Sequence, residues 1–196
     1  MKKQTNNSLR TVIAVTFLAM LFTTAACKDG TAPSPVTSVL KKNVNPPKID
    51  IHTAVMTDNM EVLKQHIAAG SNLNEKDPFG GSSPLISASL FGKTEMAKTL
   101  IAAGADLNFQ NNDGSTALHT ASFFCRPEIV RMLLDKGADK TIKNKYGSTA
   151  YESVAGPFVD VKSSYDGLGK MLEPMGLKLD YLYLEKTRPE IAAMLK

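Results

Sequence analysis

The sequence predicts an all-α solenoid of about four helix-pair repeats, with the last repeat interrupted by an insertion. The first observation is a glycine–serine motif that starts at Gly81, Gly114 and Gly147, so that its copies lie 33 residues apart. The second observation is a Gly-Ala-Asp marker at Gly104 and Gly137, which also lie 33 residues apart. A fixed period of this length is typical of repeat architectures, in which small units stack side by side.

Each unit is predicted to contain two helices. In the third unit, Ile129, Met132 and Leu133 lie on one face of a helix, because residues three and four apart are neighbours on a helical surface. Gly137 follows that helix, at a position where a left-handed closing residue favours glycine. A unit this small cannot bury its own apolar face, so neighbouring units must bury it jointly. The predicted repeats lie near residues 49–80, 81–113, 114–146 and 147–196.

The last repeat departs from the 33-residue spacing. Residues 188–195 (RPEIAAML) match residues 126–133 (RPEIVRML) at six of eight positions, but the offset is 62 residues. We therefore predict about 29 additional residues near 156–187, between the two helices of the fourth repeat. The insertion either caps the open apolar end of the stack or presents Tyr and Met side chains to a partner. Its apolar spacing predicts a short helix that contains Leu168, Met171, Leu172 and Met175.

The segment Gly114-Ser115-Thr116-Ala117-Leu118-His119 resembles the start of an ankyrin repeat. The resemblance covers Ile49 to about Ala155 and resumes at Arg188. It implies helix–turn–helix units joined by hairpins, and a role in protein binding, although a fold does not fix a function. It also implies that His52 and His119, which occupy equivalent repeat positions, form hydrogen bonds between neighbouring repeats.

Ankyrin proteins bind partners on a concave surface made of hairpin tips and the exposed ends of the first helices. The resemblance therefore implies a partner-binding surface at Met56, Thr57, Phe79, Leu90, Phe91, Asn112, Asp113, Phe123, Phe124, Lys145 and Tyr146. Leu90, Phe91, Phe123 and Phe124 would place four large apolar side chains at exposed positions, which favours an interaction site. The alternative is that the insertion covers these side chains or that their rings turn into the core.

The N-terminal segment predicts export to the bacterial cell envelope. Residues 1–26 combine a basic start, a short apolar run and small closing residues, as secretory signal peptides do. The motif Thr24-Ala25-Ala26-Cys27 resembles a lipobox, which implies that Cys27 is acylated. Residues 27–48 form a proline-rich tether. We predict a lipid-anchored protein that faces the periplasm, with the outer membrane favoured; a soluble periplasmic protein is the alternative.

Charge and motifs argue against several other classes of protein. The formal charge is +4, but residues 49–196 carry 16 basic and 18 acidic residues, and affinity for phosphate backbones comes from clustered Lys and Arg. The chain has no catalytic constellation, no zinc spacing and no phosphate-binding glycine loop. We therefore predict a monomeric, non-enzymatic binding module with a protein partner, a membrane anchor, no nucleic acid, no cofactor and no metal.

Three versions of this function remain open. The chain is similar to the bacterial ankyrin proteins that support catalase, which implies an accessory role towards a periplasmic enzyme. A periplasmic membrane tether also suits an immunity protein that blocks a toxin delivered by a rival cell. The third version is a redox protein that uses the thiol of Cys125, whose pKa the neighbouring Arg126 would lower. Cys125 replaces Gly92 of the preceding repeat, and a chance unpaired cysteine is the other interpretation.

Overall fold

The computed structural model describes residues 45–196. The predicted signal peptide, Cys27 and tether residues 27–44 lie outside this range. Residues 45–196 form nine α-helices and one 3₁₀ turn, without a strand. These elements are α1 (Ile51–Met56), α2 (Met60–Ala69), α3 (Pro84–Phe91), α4 (Thr94–Ala102), α5 (Ala117–Phe123), α6 (Pro127–Asp135), α7 (Glu152–Ala155), α8 (Phe158–Leu172), the 3₁₀ turn (Glu173–Met175) and α9 (Tyr181–Leu195).

The helices pack in two layers, as the repeat pattern predicts. In the inner layer, α3 packs between α1 and α5, and α5 also contacts α7. In the outer layer, α6 packs between α4 and α9. Each outer helix packs against the inner helix of its own repeat, and in the fourth repeat this pair is α7 and α9. The prediction of a helix-pair solenoid with an interrupted last repeat is confirmed.

Short polar side chains start most of the inner helices. The Asp50 carboxylate accepts the Thr53 backbone N–H at 2.9 Å, and the Ser83 hydroxyl accepts the Ile86 N–H at 3.3 Å. The Thr116 hydroxyl accepts the His119 N–H at 3.4 Å. Each of these contacts satisfies a donor that the first helical turn leaves without a backbone partner. The repeat motif therefore fixes where each inner helix begins.

The core repeats with the same period as the sequence. Leu85 and Leu118 are equivalent inner-helix residues, and both are fully buried. Leu100 and Leu133 are equivalent outer-helix residues, and both are fully buried as well. Burying one such side chain contributes about 1.5–3 kcal/mol. These residues belong to a single cluster of buried side chains that runs from Ile51 to Leu195, so the stack has one continuous apolar core.

The insertion is helical, and its helix α8 is longer than the short helix that the apolar spacing predicts. It contains α8, which ends before Pro174, and the 3₁₀ turn, which closes at Gly176 with a left-handed φ of +88°. The predicted end of the insertion, Thr187, lies inside α9, which runs without a break to Leu195. The first turns of α9 therefore belong to the insertion, and its remainder is the second helix of the fourth repeat.

Candidate protein-binding surface

The repeats form three hairpin tips, at residues 77–82, 111–115 and 144–148. In each tip, a short polar side chain accepts hydrogen bonds from the backbone that follows it. In the second tip, the side-chain oxygen of Asn111 accepts the N–H groups of Asp113 and Ser115 at 3.0 and 2.9 Å. Asn144 repeats this arrangement in the third tip. A short polar side chain that binds its own following backbone holds a tight turn in one conformation. The three tips are therefore defined locally by the sequence.

The first tip uses a carboxylate in place of the amide. Asp77 accepts the N–H groups of Phe79, Gly80 and Ser82, each at 2.7 Å. Partial burial acts to raise the pKa of this carboxyl group, but the three N–H donors outweigh it, so the pKa lies below its ordinary value. The charged form thus holds the first tip in place at neutral pH.

Backbone hydrogen bonds join the three tips into one ridge. The Asn112 N–H donates to the Gly80 carbonyl at 2.9 Å, and the Lys145 N–H donates to the Asp113 carbonyl at 2.8 Å. We call residues 77–82, 111–115 and 144–148 the fingertip ridge. Its loops are ordered before any partner arrives, so association costs less loop ordering than it would with independent loops.

The fingertip ridge exposes two aromatic side chains. Phe79 is 87% exposed and Tyr146 is 75% exposed, and they occupy the crowns of the first and third tips. Asp113 occupies the crown of the second tip and is exposed, as are Asn112 and Lys145. Five of the predicted partner-binding residues therefore lie together on this ridge. Aromatic residues at exposed, rigid positions are typical of interaction sites.

The remaining predicted residues lie at the ends of the inner helices. Met56 is half-buried at the end of α1, and Thr57 beside it is exposed. Leu90, Phe91 and Phe123 are half-buried. The predicted exposure of Phe124 is wrong, because its side chain is only 5% exposed.

The insertion is the reason for this burial. We call Leu90, Phe91, Phe123 and Phe124 the α3–α5 patch. Phe124 forms a small apolar cluster with two buried residues of the insertion, Leu172 and Leu177. The other members of the patch pack against the same cluster, as do Leu168 and Leu179. Within residues 45–196, the chain itself thus covers the part of the concave surface that was expected to bind a partner.

Tyr165 of α8 fixes the insertion to the end of α5. Its ring stacks on Phe123 with 4.4 Å between the ring centroids, and its hydroxyl donates to the Phe123 carbonyl. The same hydroxyl accepts a hydrogen bond from Nη1 of Arg188 at 3.1 Å. Burial raises the pKa of Tyr165 to about 12, although Arg188 opposes this rise, so the phenol stays protonated at neutral pH. Neither the stacking of Tyr165 nor its contact with Arg188 was predicted from the sequence, although apolar residues at 158, 161, 165, 168 and 172 mark this helix face.

Cys125 lies in the turn that follows α5 and is buried beneath α9. Its side chain has no exposed surface, and its Sγ lies 3.7 Å from the Leu184 carbonyl. Burial raises the pKa of the thiol to about 11; the charges of Arg188 and Arg126 act in the opposite direction but do not outweigh it. Arg126 thus acts to lower the thiol pKa, as expected from the sequence, but burial outweighs this effect. A buried, protonated thiol is inert towards oxidants and electrophiles.

The two equivalent histidines make different contacts: that of His52 stays within the first repeat, and that of His119 reaches the fourth repeat. Nε2 of His52 lies 3.1 Å from the Glu75 carbonyl, and Nε2 of His119 lies 3.1 Å from the Ser148 carbonyl. Nδ1 of His119 also lies within hydrogen-bonding distance of Thr116, at the start of its own helix. His119 is buried, and burial lowers its pKa against the opposing effect of two carbonyl groups. The role between neighbouring repeats that the resemblance implies is therefore confirmed for His119, whereas His52 contacts a residue of its own repeat.

Two further features of residues 45–196 concern metals and membranes. Over this range, no three His, Cys, Asp or Glu side chains are grouped closely enough to hold a metal ion. None of the helices described here has the length and the apolar character that crossing a membrane requires.

The fold and the repeat geometry define the class of protein. Residues 51–144 match the family model for ankyrin repeats in three copies, and the helix pairs of this part of the chain have the ankyrin-repeat fold. The structure is similar to the crystal structure of the ankyrin repeat domain of Bcl-3, which is described as a unique member of the IkappaB protein family. The TM-score of this match is 0.51, and the sequence identity is 34%. This match covers 53% of the present chain and only 45% of that one, less than half its length. A sequence search of curated proteins found no significant match. Ankyrin repeats are generally protein-interaction modules.

Proposed function

We propose that the chain is a non-catalytic protein-binding module of the bacterial periplasm, held at a membrane by a lipid on Cys27. The fingertip ridge is the binding surface. The partner is a periplasmic protein, and the similarity to ankyrin proteins that support catalase favours an enzyme that this chain assists.

The observation that carries the proposal is the position of Phe79 and Tyr146. Both rings are exposed on tips that internal hydrogen bonds hold rigid. Rigid aromatic anchors bind with little loss of conformational entropy, and aromatic residues are enriched among the side chains that dominate interface energies. Asp113 and Lys145 are exposed on the same ridge and supply charges of both signs, which favours a mixed polar contact around the anchors.

The N-terminal sequence supports the location. A basic start, a short apolar run and Cys27 after two alanines are the features of an acylated, exported protein. Several acyl chains on one cysteine bind a bilayer firmly, because each buried methylene contributes about 0.8 kcal/mol. The proline-rich tether of residues 27–48 would then let the repeats reach a partner near the membrane.

The environment of Cys125 does not favour the thiol-redox alternative. A reactive cysteine needs an accessible thiolate, whereas this thiol is buried and has a pKa of about 11.

Affinity capture with matched surface variants tests the ridge. The full chain carrying Phe79→Ser and Tyr146→Ser is compared with the unaltered chain as bait in envelope extracts. Val159→Ser is the control, because Val159 is 74% exposed but belongs to α8 and not to the ridge. Since all three side chains are exposed, stability should change by no more than about 0.5 kcal/mol. We expect the ridge variant to lose proteins that both other baits retain; recovery of the same proteins by all three baits would show that the ridge is not the binding surface.

Cell fractionation tests the location separately. In the expressed full chain, Cys27→Ser should abolish incorporation of labelled fatty acid and release the protein from the membrane fraction. Cys125→Ser is the control, because the buried thiol should not affect anchoring. Membrane association that survives Cys27→Ser would contradict the lipid anchor while leaving the binding surface untouched.

A further inference from the structure

We propose that the α3–α5 patch is a second binding site, for an amphipathic helix, and that α8 occupies it in cis. A partner helix that presents tyrosine, leucine and leucine at positions i, i+3 and i+7 would displace α8 from this site. The proposal is independent of the fingertip ridge.

α8 is an amphipathic helix. Phe158, Val161, Tyr165, Leu168 and Leu172 recur at alternating steps of three and four residues and lie on one face of the helix. That face is turned towards the repeats, because these residues are buried or half-buried and pack against them. The opposite face is exposed, at Lys162, Ser163, Lys170 and Met171 among others. An amphipathic helix laid into an apolar groove is a recurrent mode of peptide recognition.

The surface beneath α8 is part of the repeats themselves. The α3–α5 patch belongs to the second and third repeats, which match the ankyrin family without the insertion. Its contacts with Leu172 and Leu177 form a small second apolar cluster, although Phe123 also packs against the main core, which includes Tyr165. The helices of these repeats are held instead by the continuous main core. The main-core residues of α1–α6 therefore remain packed against one another when α8 leaves, and the incoming tyrosine takes the place of Tyr165 in that core.

Several features of α8 reduce the stability of its attachment to the repeats. No side chain caps its N-terminus, and it contains Gly167 and Gly169, each of which costs about 1 kcal/mol relative to alanine in a helix interior. Arg188, which binds the Tyr165 hydroxyl, is 2% exposed and forms no ion pair among residues 45–196. Its Nε has no hydrogen-bond partner there either. A buried polar contact that is only partly satisfied contributes little net stability.

The contacts of α8 define the partner that fits. The tyrosine must stack on Phe123, donate its hydroxyl proton to the Phe123 carbonyl and accept from Arg188, as Tyr165 does. The two leucines must reach the cluster around Phe124. Because Arg188 belongs to α9 rather than to α8, it remains in place and selects tyrosine over phenylalanine.

A peptide-binding experiment tests this site. The probe is a fluorescent synthetic peptide with the sequence of residues 157–176, and the receptor is the full chain carrying Tyr165→Ala and Leu172→Ala, which weaken its own α8. We expect the peptide to bind this receptor at least about tenfold more tightly than the unaltered chain, in which α8 occupies the site most of the time. Leu168→Asp in the peptide should abolish binding, and Tyr165→Phe in the peptide should weaken it several-fold. Met171→Ser in the peptide is the control and should change nothing, because Met171 is exposed.

Two results would overturn the proposal. One is a receptor that keeps the helical signal and hydrogen-exchange protection of α5 yet fails to bind the peptide. The other is equal binding of the Leu168→Asp peptide. Hydrogen exchange on the unaltered chain provides a test if the receptor does not fold: α8 amides should exchange at least about a hundredfold faster than α5 amides, since local opening needs less free energy than global unfolding. Equal protection of both helices would also refute a displaceable α8. Phe79→Ser in the receptor should leave peptide affinity unchanged, which separates this site from the ridge.

Discussion

The guanidinium of Arg188 is buried against the hydroxyl of Tyr165, at 3.1 Å, without a carboxylate to balance its charge among residues 45–196. Its other hydrogen bond goes to the Gly156 carbonyl at 3.3 Å. Removing a charge from water costs several kcal/mol, which hydrogen bonds to neutral groups only partly offset. The position of Arg188 therefore reflects the geometry of the insertion rather than a strong ion pair.

This relationship predicts an unusual pair of mutational effects. Arg188→Met keeps most of the side-chain volume and removes the buried charge, so its free energy of unfolding should stay within about 1 kcal/mol of the unaltered chain or exceed it. Arg188→Ala leaves a cavity and should cost about 2–4 kcal/mol. Urea unfolding followed by circular dichroism measures both. Equal, large losses in the two variants would mean that the charge of Arg188 itself stabilises the fold.

The periodic part of the molecule could be predicted from the sequence because its determinants are local. The spacing that makes Leu118 equivalent to Leu85 also places both in the core, and the equivalence of Cys125 with Gly92 places both in the left-handed backbone region, with φ values of +52° and +65°. Each of these inferences needs only the register of one repeat against the next.

The binding surface could be predicted only in part, for a physical reason. Phe79 and Tyr146 are exposed because a hairpin tip projects its crown into solvent in every repeat. Phe124 is buried because α8 returns to it from about 40 residues further along the chain. The pattern of one repeat carries no information about such a contact. The apolar face of α8 predicts a helix that packs against something, but not which surface it packs against.

The buried thiol of Cys125 predicts a loss of stability at high pH. Folding raises its pKa from 9.0 to about 11, so the folded state disfavours the thiolate more than the unfolded state does. The free energy of unfolding should therefore be unaffected below pH 9 and should fall as the pH rises towards 11, by about 3 kcal/mol at most. Urea unfolding across this range measures the effect in the full chain carrying Cys27→Ser.

Cys125→Ala is the control for this pH dependence. It should remove the decrease below about pH 10 and retain a later one, because the pKa of Tyr165 is also raised, to about 12. Rapid reaction of the folded Cys27→Ser chain with a thiol reagent at pH 8, at the rate of a free cysteine, would contradict the burial of Cys125 directly.

His119 predicts a loss of stability on the acid side. Burial lowers its pKa below the ordinary value of 6.5, against the effect of nearby carbonyl groups. The folded state therefore favours the neutral ring, and its contribution is fully present above pH 6.5 and declines as the pH falls below that value. Melting temperatures at pH 7.5 and 5.5 measure this. His119→Gln should be less stable at pH 7.5 by about 1–2 kcal/mol, because the bonds to Thr116 and Ser148 are weakened. It should also lose less stability on acidification, and an unchanged acid dependence would assign that effect to other groups.

Two glycine-to-alanine changes should have opposite effects, which separates backbone strain from helix propensity. Gly92 has a φ of +65°, and a Cβ there would lie 2.9 Å from Nε of Arg126. Gly92→Ala should therefore cost more than about 1 kcal/mol, because alanine in the left-handed region is strained even without the clash. Gly167 lies in α8, and a Cβ there would meet no atom within 4 Å. Gly167→Ala should make α8 more stable by about 0.5–1 kcal/mol, slow the hydrogen exchange of its amides and leave the exchange of α5 unchanged. Destabilisation by Gly167→Ala would contradict the open space around this position.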